Sequence, residues 1–335
     1  MKGSLRFARH DGKVVRLIRQ AYRDLSKYTS GSLSRKPNAA ERARILALRR
    51  QLIDSLEPRC ANCAPSDHEW AENASRLRYL ALNDDPRRFL RWDVVISSMF
   101  VLDAHYVDAE FTYLRLLQDW RSRWRHAIQE SRLGQPIPSL VYLKSSDNLI
   151  HHAYHIAQFE QASQTRVSEW GFVLEFGPGY GSVTRLLFNL GFQGRVVLFD
   201  LPAFSALQRF YLDGLGIKAC DSVEGFIAGE ASVICLSDFD ELCQILDVAK
   251  PIEHSLFIGT WSMSEAPRDI RDAVLSLARD FDGFLMSFQR EFGETDNLSF
   301  FGSWKEDHKD IDWQMWEIEH LPGNYYLMGL RKEGR

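Results

Sequence analysis

Val173-Leu174-Glu175-Phe176-Gly177-Pro178-Gly179-Tyr180-Gly181-Ser182 is the run on which the reading of this chain turns. A short apolar stretch, Phe172–Phe176, reads as a buried strand, and Gly181–Leu190 has helical spacing. The glycines between them let the backbone turn sharply and admit a ligand close to it. The helix start beyond offers free N–H groups. The dinucleotide fingerprint spaces its glycines as G-x-G-x-x-G. Here they stand at i, i+2 and i+4, and an acid, Glu175, precedes the first by two residues. That pattern favours a ligand with a cationic amino-acid end over one with a pyrophosphate.

Moving outward, Arg195–Phe199 is a Val- and Leu-rich strand ending at Asp200, where a carboxylate can accept hydrogen bonds from two vicinal ribose hydroxyls. Further strands are expected at Val233–Leu236, Ser255–Gly259 and Phe284–Phe288. Helices are expected at Ala203–Leu212 and Glu265–Phe281. Trp313–Glu319 and Tyr325–Leu330 flank His-Leu-Pro-Gly-Asn and read as a terminal hairpin. Alternating βα units followed by a hairpin predict an α/β fold whose mainly parallel sheet is covered by helices.

The first half reads as helical. Val14, Leu17, Ile18, Tyr22 and Leu25 share a helical period. Asn38-Ala-Ala-Glu41 has the form of a capping box, as does Ser66-Asp-His-Glu69. Asp85-Pro86 fits a helix start, and a long pattern runs from Ala109 to Gln129. Cys60-Ala-Asn-Cys63, near His68, has half of a zinc-site spacing, but the other cysteines lie far along the chain, so no metal is expected. Residues 1–50 hold 14 Lys/Arg against three acids, a net of +11 in a chain of net charge -4. This basic end reads either as an anionic-surface contact or as a helix face that docks on the acidic remainder. It lacks the pattern of a nucleic-acid-reading module, and nucleic acid is not an expected partner. With 45% apolar and 26% charged residues, the composition is that of a globular protein. No stretch approaches the ~18 apolar residues of a membrane span, the first residues lack the apolar core of a secretory signal, and the cysteines form no disulfide framework. A cytoplasmic location is the expectation.

The E-x-G-x-G-x-G loop with the acid after the next strand resembles the signature of the class I S-adenosylmethionine-dependent methyltransferases, over about residues 166–335. A longer resemblance, carried by Asn148-Leu-Ile-His-His-Ala-Tyr-His-Ile-Ala-Gln-Phe-Glu160, LEFGPGYGSVTRLL, FDLPAFSALQRFYL, FIGTWSMSEAP and HLPGNYYLMG, is to bacterial sugar O-methyltransferases. It implies a Rossmann-like fold, with a mainly parallel seven-stranded sheet ending in an antiparallel hairpin. A helical N-terminal region, residues 1–147, would serve as a cap or an oligomerisation surface, and a methyltransferase domain would occupy 148–335. The cofactor implied is S-adenosyl-L-methionine. Glu175, Gly177, Gly179, Tyr180 and Gly181 would hold its methionine end, Asp200 the ribose and Leu201 a flank of the adenine. Asp238 is a candidate for the adenine amino group or a plain loop acid. Thr260 and Trp261 would end the strand at which the methyl group faces the acceptor.

A sugar hydroxyl is a poor nucleophile at neutral pH and benefits from a positioned base. The candidates are one of His151, His152 and His155, which crowd one helix, or Glu265; Asp296 is a further carboxylate. Equally, the His-rich helix could be a packing helix, and His320, before Pro322, reads as structural. The loop expected of enzymes that methylate amino groups of bases is missing, because Thr-Trp-Ser-Met-Ser-Glu follows the strand instead. A small-molecule or peptide natural product is the alternative acceptor.

Overall fold

The computed structural model describes residues 35–55, 65–102, 105–220, 222–249 and 254–332. The helix expected over Val14–Leu25, most of the basic N-terminal segment and the Cys60–Cys63 pair lie outside the described residues, as do the side chains of residues 65–68.

An eight-stranded sheet organises the chain. The central strand β1 (Phe172–Phe176) pairs in parallel with β2 (Arg195–Phe199) and β5 (Ser255–Thr260). β4 (Val233–Leu236) and β3 (Ala219–Cys220) extend one side, and β6 (Gly283–Gln289) the other. A separate two-stranded ribbon joins β7 (Glu291–Phe292) and β8 (Thr295–Asp296). The hairpin of β9 (Ile311–Glu317) and β10 (Asn324–Arg331) closes the far edge, β10 running antiparallel to β6. This is the expected Rossmann-like sheet with its terminal hairpin. Its strand count exceeds seven because Ala219–Cys220 adds a two-residue edge strand, too short to register as an apolar run.

Side chains alternate across the sheet, so each face has its own core. Val173 and Ile258 point into one core and Leu174 and Phe257 into the other. The second core is closed by Phe226, Leu246, Leu275 and Phe301. The first is continuous with the N-terminal helices: Leu48, Leu52, Leu77, Leu90 and Ile137 share it with Leu149, Phe159, Leu186 and Leu207. The helix Ala39–Asp54 starts at a complete capping box, Asn38 and Glu41 bonding each other's backbone N–H at 2.9 and 2.8 Å. It packs chiefly on the helix Pro202–Gly214, which follows β2.

Two expected helices are broken. The pattern over Ala109–Gln129 divides into Val107–Leu116, a five-residue π-turn at Trp120–Trp124 and a final turn. Its periodicity survives because each piece packs toward the same core. Glu265–Phe281 divides at Pro267, which cannot donate the helical hydrogen bond, into Ser262–Glu265 and Arg268–Leu277. The helix Pro65–Asn83 begins one residue ahead of Ser66.

Candidate active site

The C-terminal ends of β1, β2, β4 and β5 open into a cavity of about 1200 Å³. It lies where β1 continues to β2 on one side and β5 to β6 on the other, the usual ligand crevice of an open parallel sheet. Its floor is the glycine loop. Gly177, Gly179 and Gly181 all take positive φ, at 61°, 58° and 86°. A Cβ at Gly177 would stand 2.3 Å from Cβ of Ser262, so the loop needs glycine there for contact as well as conformation. Gly181 caps the helix Ser182–Asn189, and Gly177 N–H donates to Phe199 O at 2.9 Å.

Glu175 is buried at the end of β1, and Thr184 Oγ1 donates to its Oε2 at 2.8 Å. Burial pushes its pKa up to about 8, and the single hydroxyl offsets only part of that. Asp200 borders the same cavity. Burial raises it to about 7 despite hydrogen bonds from Leu201 N–H at 2.8 Å and Gln208 Nε2 at 2.9 Å. Gln208 Nε2 also donates to Gly179 O at 2.9 Å, tying loop and acid together. Two uncompensated carboxylates in one cavity, over a cradle that a Cβ would fill, suit a ligand carrying a cation and hydroxyl donors.

Tyr180 is buried and contributes to the cavity lining. Its hydroxyl accepts from Asn148 Nδ2 at 2.9 Å, and Asn148 Oδ1 accepts from Val101 N–H at 2.9 Å. That joins the glycine loop to the N-terminal helices. Leu201, Thr260 and Trp261 border the cavity. Asp238 does not: it is exposed, and its Oδ1 accepts from the N–H groups of Asp240 and Glu241, capping Phe239–Ala249. Its neighbours Ser237 and Phe239 face the cavity instead.

The opposite wall comes from the N-terminal helices, through Trp70, Ala74, Met99 and Phe100 among others. His151, His152 and Glu265 lie on the cavity, whereas His155 sits behind His151 and does not border it. Burial, with a contribution from His151, takes His152 down to about 3, and its Nδ1 has no partner. Burial takes Glu265 up to about 6, its Oε1 accepting from Gln289 Nε2 at 3.3 Å. Trp261 holds a strained φ of 61°, fixed by N–H to Ser287 O at 2.7 Å and Nε1 to Asn324 Oδ1 at 2.8 Å. Its ring lies 5.3 Å from His151 and 5.0 Å from His155. Asp296 is far from this chemistry in role: it caps the helix Asn297–Asp307.

Sequence reasoning missed Glu110, Gln208 and Trp70. Glu110 is fully buried in a helix whose pattern gave no reason to single out an acid; its Oε1 meets His151 Nδ1 at 2.7 Å and His320 Nε2 at 3.1 Å. His320, expected to be structural, is thus tied to the histidine cluster. Among the described residues no group of His, Cys, Asp and Glu is arranged to hold a metal ion, and no helix is long and apolar enough to cross a membrane.

No protein-family profile matches the chain, and no curated protein sequence matches it. Among solved structures it is similar to a SAM-dependent methyltransferase from Aquifex aeolicus, at 14% identity over 52% of this chain and 88% of that one, with a TM-score of 0.35. It is similar also to precorrin-6y C5,15-methyltransferase from Geobacter metallireducens, at 13% identity over 59% and 95%, TM-score 0.35. A third is magnesium protoporphyrin IX methyltransferase from Synechocystis with bound SAM, at 13% identity over 67% and 97%, TM-score 0.34. At these values the likeness is one of fold only.

Proposed function

We propose that this chain is an S-adenosylmethionine-dependent O-methyltransferase acting on a hydroxyl of a sugar or sugar-containing small molecule. The observation that carries the reading is the pairing of Glu175 with Asp200 across the positive-φ glycine loop, in one cavity. When bound, the cofactor supplies an electrophilic sulfonium methyl group and its own leaving group. Glu175 and the loop would hold its amino-acid end, and Asp200 its ribose hydroxyls. Leu201, with Phe199 and Phe239, would flank its adenine, and Thr260 and Trp261 would border its methyl group. A cationic amino group beside Glu175 restores the carboxylate that burial suppresses.

For the acceptor, the protein's task is alignment and removal of a proton. Trp70 and Trp261 offer flat apolar faces to the C–H side of a pyranose. Glu265 and His152 offer polar atoms to its hydroxyls, and one of them would serve as the base. Glu265, at about 6, is ionised at neutral pH and accepts hydrogen bonds from hydroxyls. The resemblance of the His-rich segment and the HLPGNYYLMG hairpin to sugar O-methyltransferases supports the same acceptor class. A second reading, a small-molecule or peptide natural-product acceptor, is favoured by the apolar wall of Met99, Phe100, Phe204 and Ile270. The N-terminal region, residues 1–147, would form the acceptor-side cap of residues 148–335 in either reading.

Calorimetry with S-adenosylmethionine and S-adenosylhomocysteine tests the cofactor: heat with both and none with NADH is expected, and the reverse defeats the proposal. Mass spectrometry of nucleotide-sugars, glycosides and natural-product scaffolds incubated with the protein separates the two acceptor classes by a methyl gain.

A further inference from the structure

Glu265 borders the cavity, and behind it lies a buried guanidinium whose hydrogen bonds all go to neutral acceptors. Arg271, 2% exposed, donates from Nε to Ala266 O at 2.6 Å, from Nη1 to Asn297 Oδ1 at 2.6 Å and from Nη2 to Ser264 O. Two of those carbonyls flank Glu265 in the chain, so the guanidinium grips the backbone on either side of it. Asn297 Nδ2 donates in turn to Gln289 O at 3.0 Å, at the end of β6. The Gln289 side chain closes the circuit: its Nε2 donates to Glu265 Oε1 at 3.3 Å, and its Oε1 accepts from Ser264 Oγ at 2.8 Å. An ionised Glu265 only accepts, which is why the amide turns its NH₂ to the acid and its oxygen to the hydroxyl. Four elements converge here: the turn Ser262–Glu265, the helix Arg268–Leu277, β6 and the helix Asn297–Asp307.

Burying a charge is costly unless a partner offsets it. The carboxylates that act on Arg271 are Asp272 and Glu265, and of these only Glu265 borders the cavity. A guanidinium in that place favours the ionised form of Glu265. The acid is also well placed. Ser262 and Glu265 stand three residues apart and share a face of their turn. Ser262 Oγ donates to Phe176 O, and its Cβ abuts Gly177, so that face lies against the glycine loop. His152, the other polar group on this wall, is taken by burial to about 3 and holds a proton poorly at neutral pH. Glu265, at about 6, is ionised there yet basic enough to keep a proton in passing.

We infer that Glu265 takes the acceptor's proton, and that Arg271 and Gln289 are positioning residues that keep it ionised and fixed in the cavity wall. The inference rests on the proposed methyl transfer and deepens it. An acceptor hydroxyl donates to the carboxylate, whose lone pairs are not exhausted by Gln289. As the oxygen–carbon bond forms and the carbon–sulfur bond of the sulfonium donor breaks, the O–H bond breaks and its proton passes to Glu265. Sulfonium and alcohol become thioether and ether, and carboxylate becomes carboxylic acid, so the charges balance. Once the product leaves, cavity water removes the proton. Glu69 and Trp70 face the carboxyl from the helix Pro65–Asn83, Gln289 from β6 and Arg271 from its own helix; Glu69 opposes ionisation and Arg271 favours it. Arg268 and Asp272 act on Arg271 in turn.

The test follows Glu265 itself and then turnover. Carboxyl carbon-13 NMR of the ligand-free full chain, with the signal assigned by its loss in Glu265→Gln, should show this group titrating at about 6. In Arg271→Gln the midpoint should move up by roughly half a pH unit or more, and Arg271→Lys should bring it part of the way back. On p-nitrophenyl glycosides, wild-type turnover should fall as pH drops through the same midpoint. Glu265→Gln should lose about 10²-fold in kcat together with that acid limb, with S-adenosylmethionine affinity within about threefold of wild type. Glu265→Ala should regain turnover in formate buffer, because a small carboxylate fills the vacated place. Arg271→Gln should carry the limb upward, losing more turnover at pH 6.5 than at pH 8.5. A folded Glu265→Gln protein with wild-type kcat, or an acid limb that survives in it, overturns the assignment of the base. A wild-type midpoint at the ordinary ~4.3 overturns the inference whichever variants fold. An unmoved midpoint in Arg271→Gln overturns the positioning role; if that variant does not fold, Gln289→Met decides the same point, since loss of its N–H donor also raises the midpoint. No S-adenosylmethionine binding by the wild type defeats the proposed function instead, and the calorimetry separates that failure from this one.

Discussion

Glu175 and Glu110 are both buried acids, one on each side of the same cavity, yet their protonation differs in direction. Glu175 has one hydroxyl for a partner and rises to about 8, whereas Glu110 has two imidazoles and is held below its ordinary range. The desolvation cost is common to both, so the difference lies in what the chain supplies. At Glu110 the chain brings its own imidazole partners, from helix and hairpin. At Glu175 it brings none, and the cation must arrive with the ligand. A carboxylate left without imidazole or cationic partners on the edge of a cavity suits a binding surface.

The largest expected effect breaks this comparison at Glu175. Glu175→Gln keeps shape and the Thr184 contact but cannot offer charge. Affinity for S-adenosylmethionine should fall by about 10²-fold, or about 3 kcal/mol, the upper scale for hydrogen bonds to charged groups. The same substitution should stabilise the ligand-free protein at pH 8. Folded Glu175 and Asp200 hold protons at about 8 and about 7, while unfolded carboxyls release theirs near ~4. Their folded pKa values are raised, so the stability tied to them is full below ~4 and is lost as pH climbs toward 8. A thermal-melting series from pH 4 to pH 8 should slope downward in the wild type and less steeply in Glu175→Gln. Parallel slopes would mean Glu175 is already ionised in the empty site.

Asp200→Ala should cost less, about 2 kcal/mol or roughly 30-fold in cofactor affinity, because ribose hydroxyls are neutral donors. Cofactor affinity in the wild type should rise between pH 6 and pH 7.5, since binding below the pKa of either acid must expel a proton. Calorimetry in two buffers of different ionisation heat reads that proton directly. Proton uptake instead of release would reverse the assignment of Asp200 as an acceptor.

The residues proposed for the cofactor carry short-range signals: glycine spacing, the acid two residues earlier and the acid after the next strand. Of these, Glu175, Gly177, Gly179 and Asp200 border the cavity. Asp238 was open to two readings, because an acid after a strand serves equally as a helix cap, and it caps Phe239–Ala249. Gln208 carries no local signal at all: it matters because the helix Pro202–Gly214 passes over Gly179. The proposed acceptor wall is written across the chain. Glu110, His151 and His320 meet only when a helix, a second helix and a hairpin pack together. Amphipathic spacing cannot anticipate a buried acid at a position that looks like any surface glutamate. Ala219–Cys220 escaped for a related reason, its strand being defined by pairing with β4 and not by its own pattern.

The smallest effect concerns the wall. A cap that could be cut away would leave the cofactor half intact, but here Leu48, Leu77 and Ile137 share one core with Leu186 and Leu207. Removing residues 1–140 would bare that core, so a truncated chain cannot separate cofactor binding from acceptor selection. A point change on the cavity side can. Trp70 is half-buried, borders the cavity and packs edge-on against Phe204 at 5.9 Å. Trp70→Ala removes a flat apolar face from the acceptor side and leaves every residue around the glycine loop untouched. One lost aromatic contact of this kind is worth about 1 kcal/mol beyond its area. KM for the acceptor should therefore rise by about five- to tenfold, with kcat and cofactor affinity near wild type. Equal losses in cofactor affinity and acceptor KM would show instead that the two sides of the cavity are not independent, and that the N-terminal helices set the glycine loop itself through Asn148 and Tyr180.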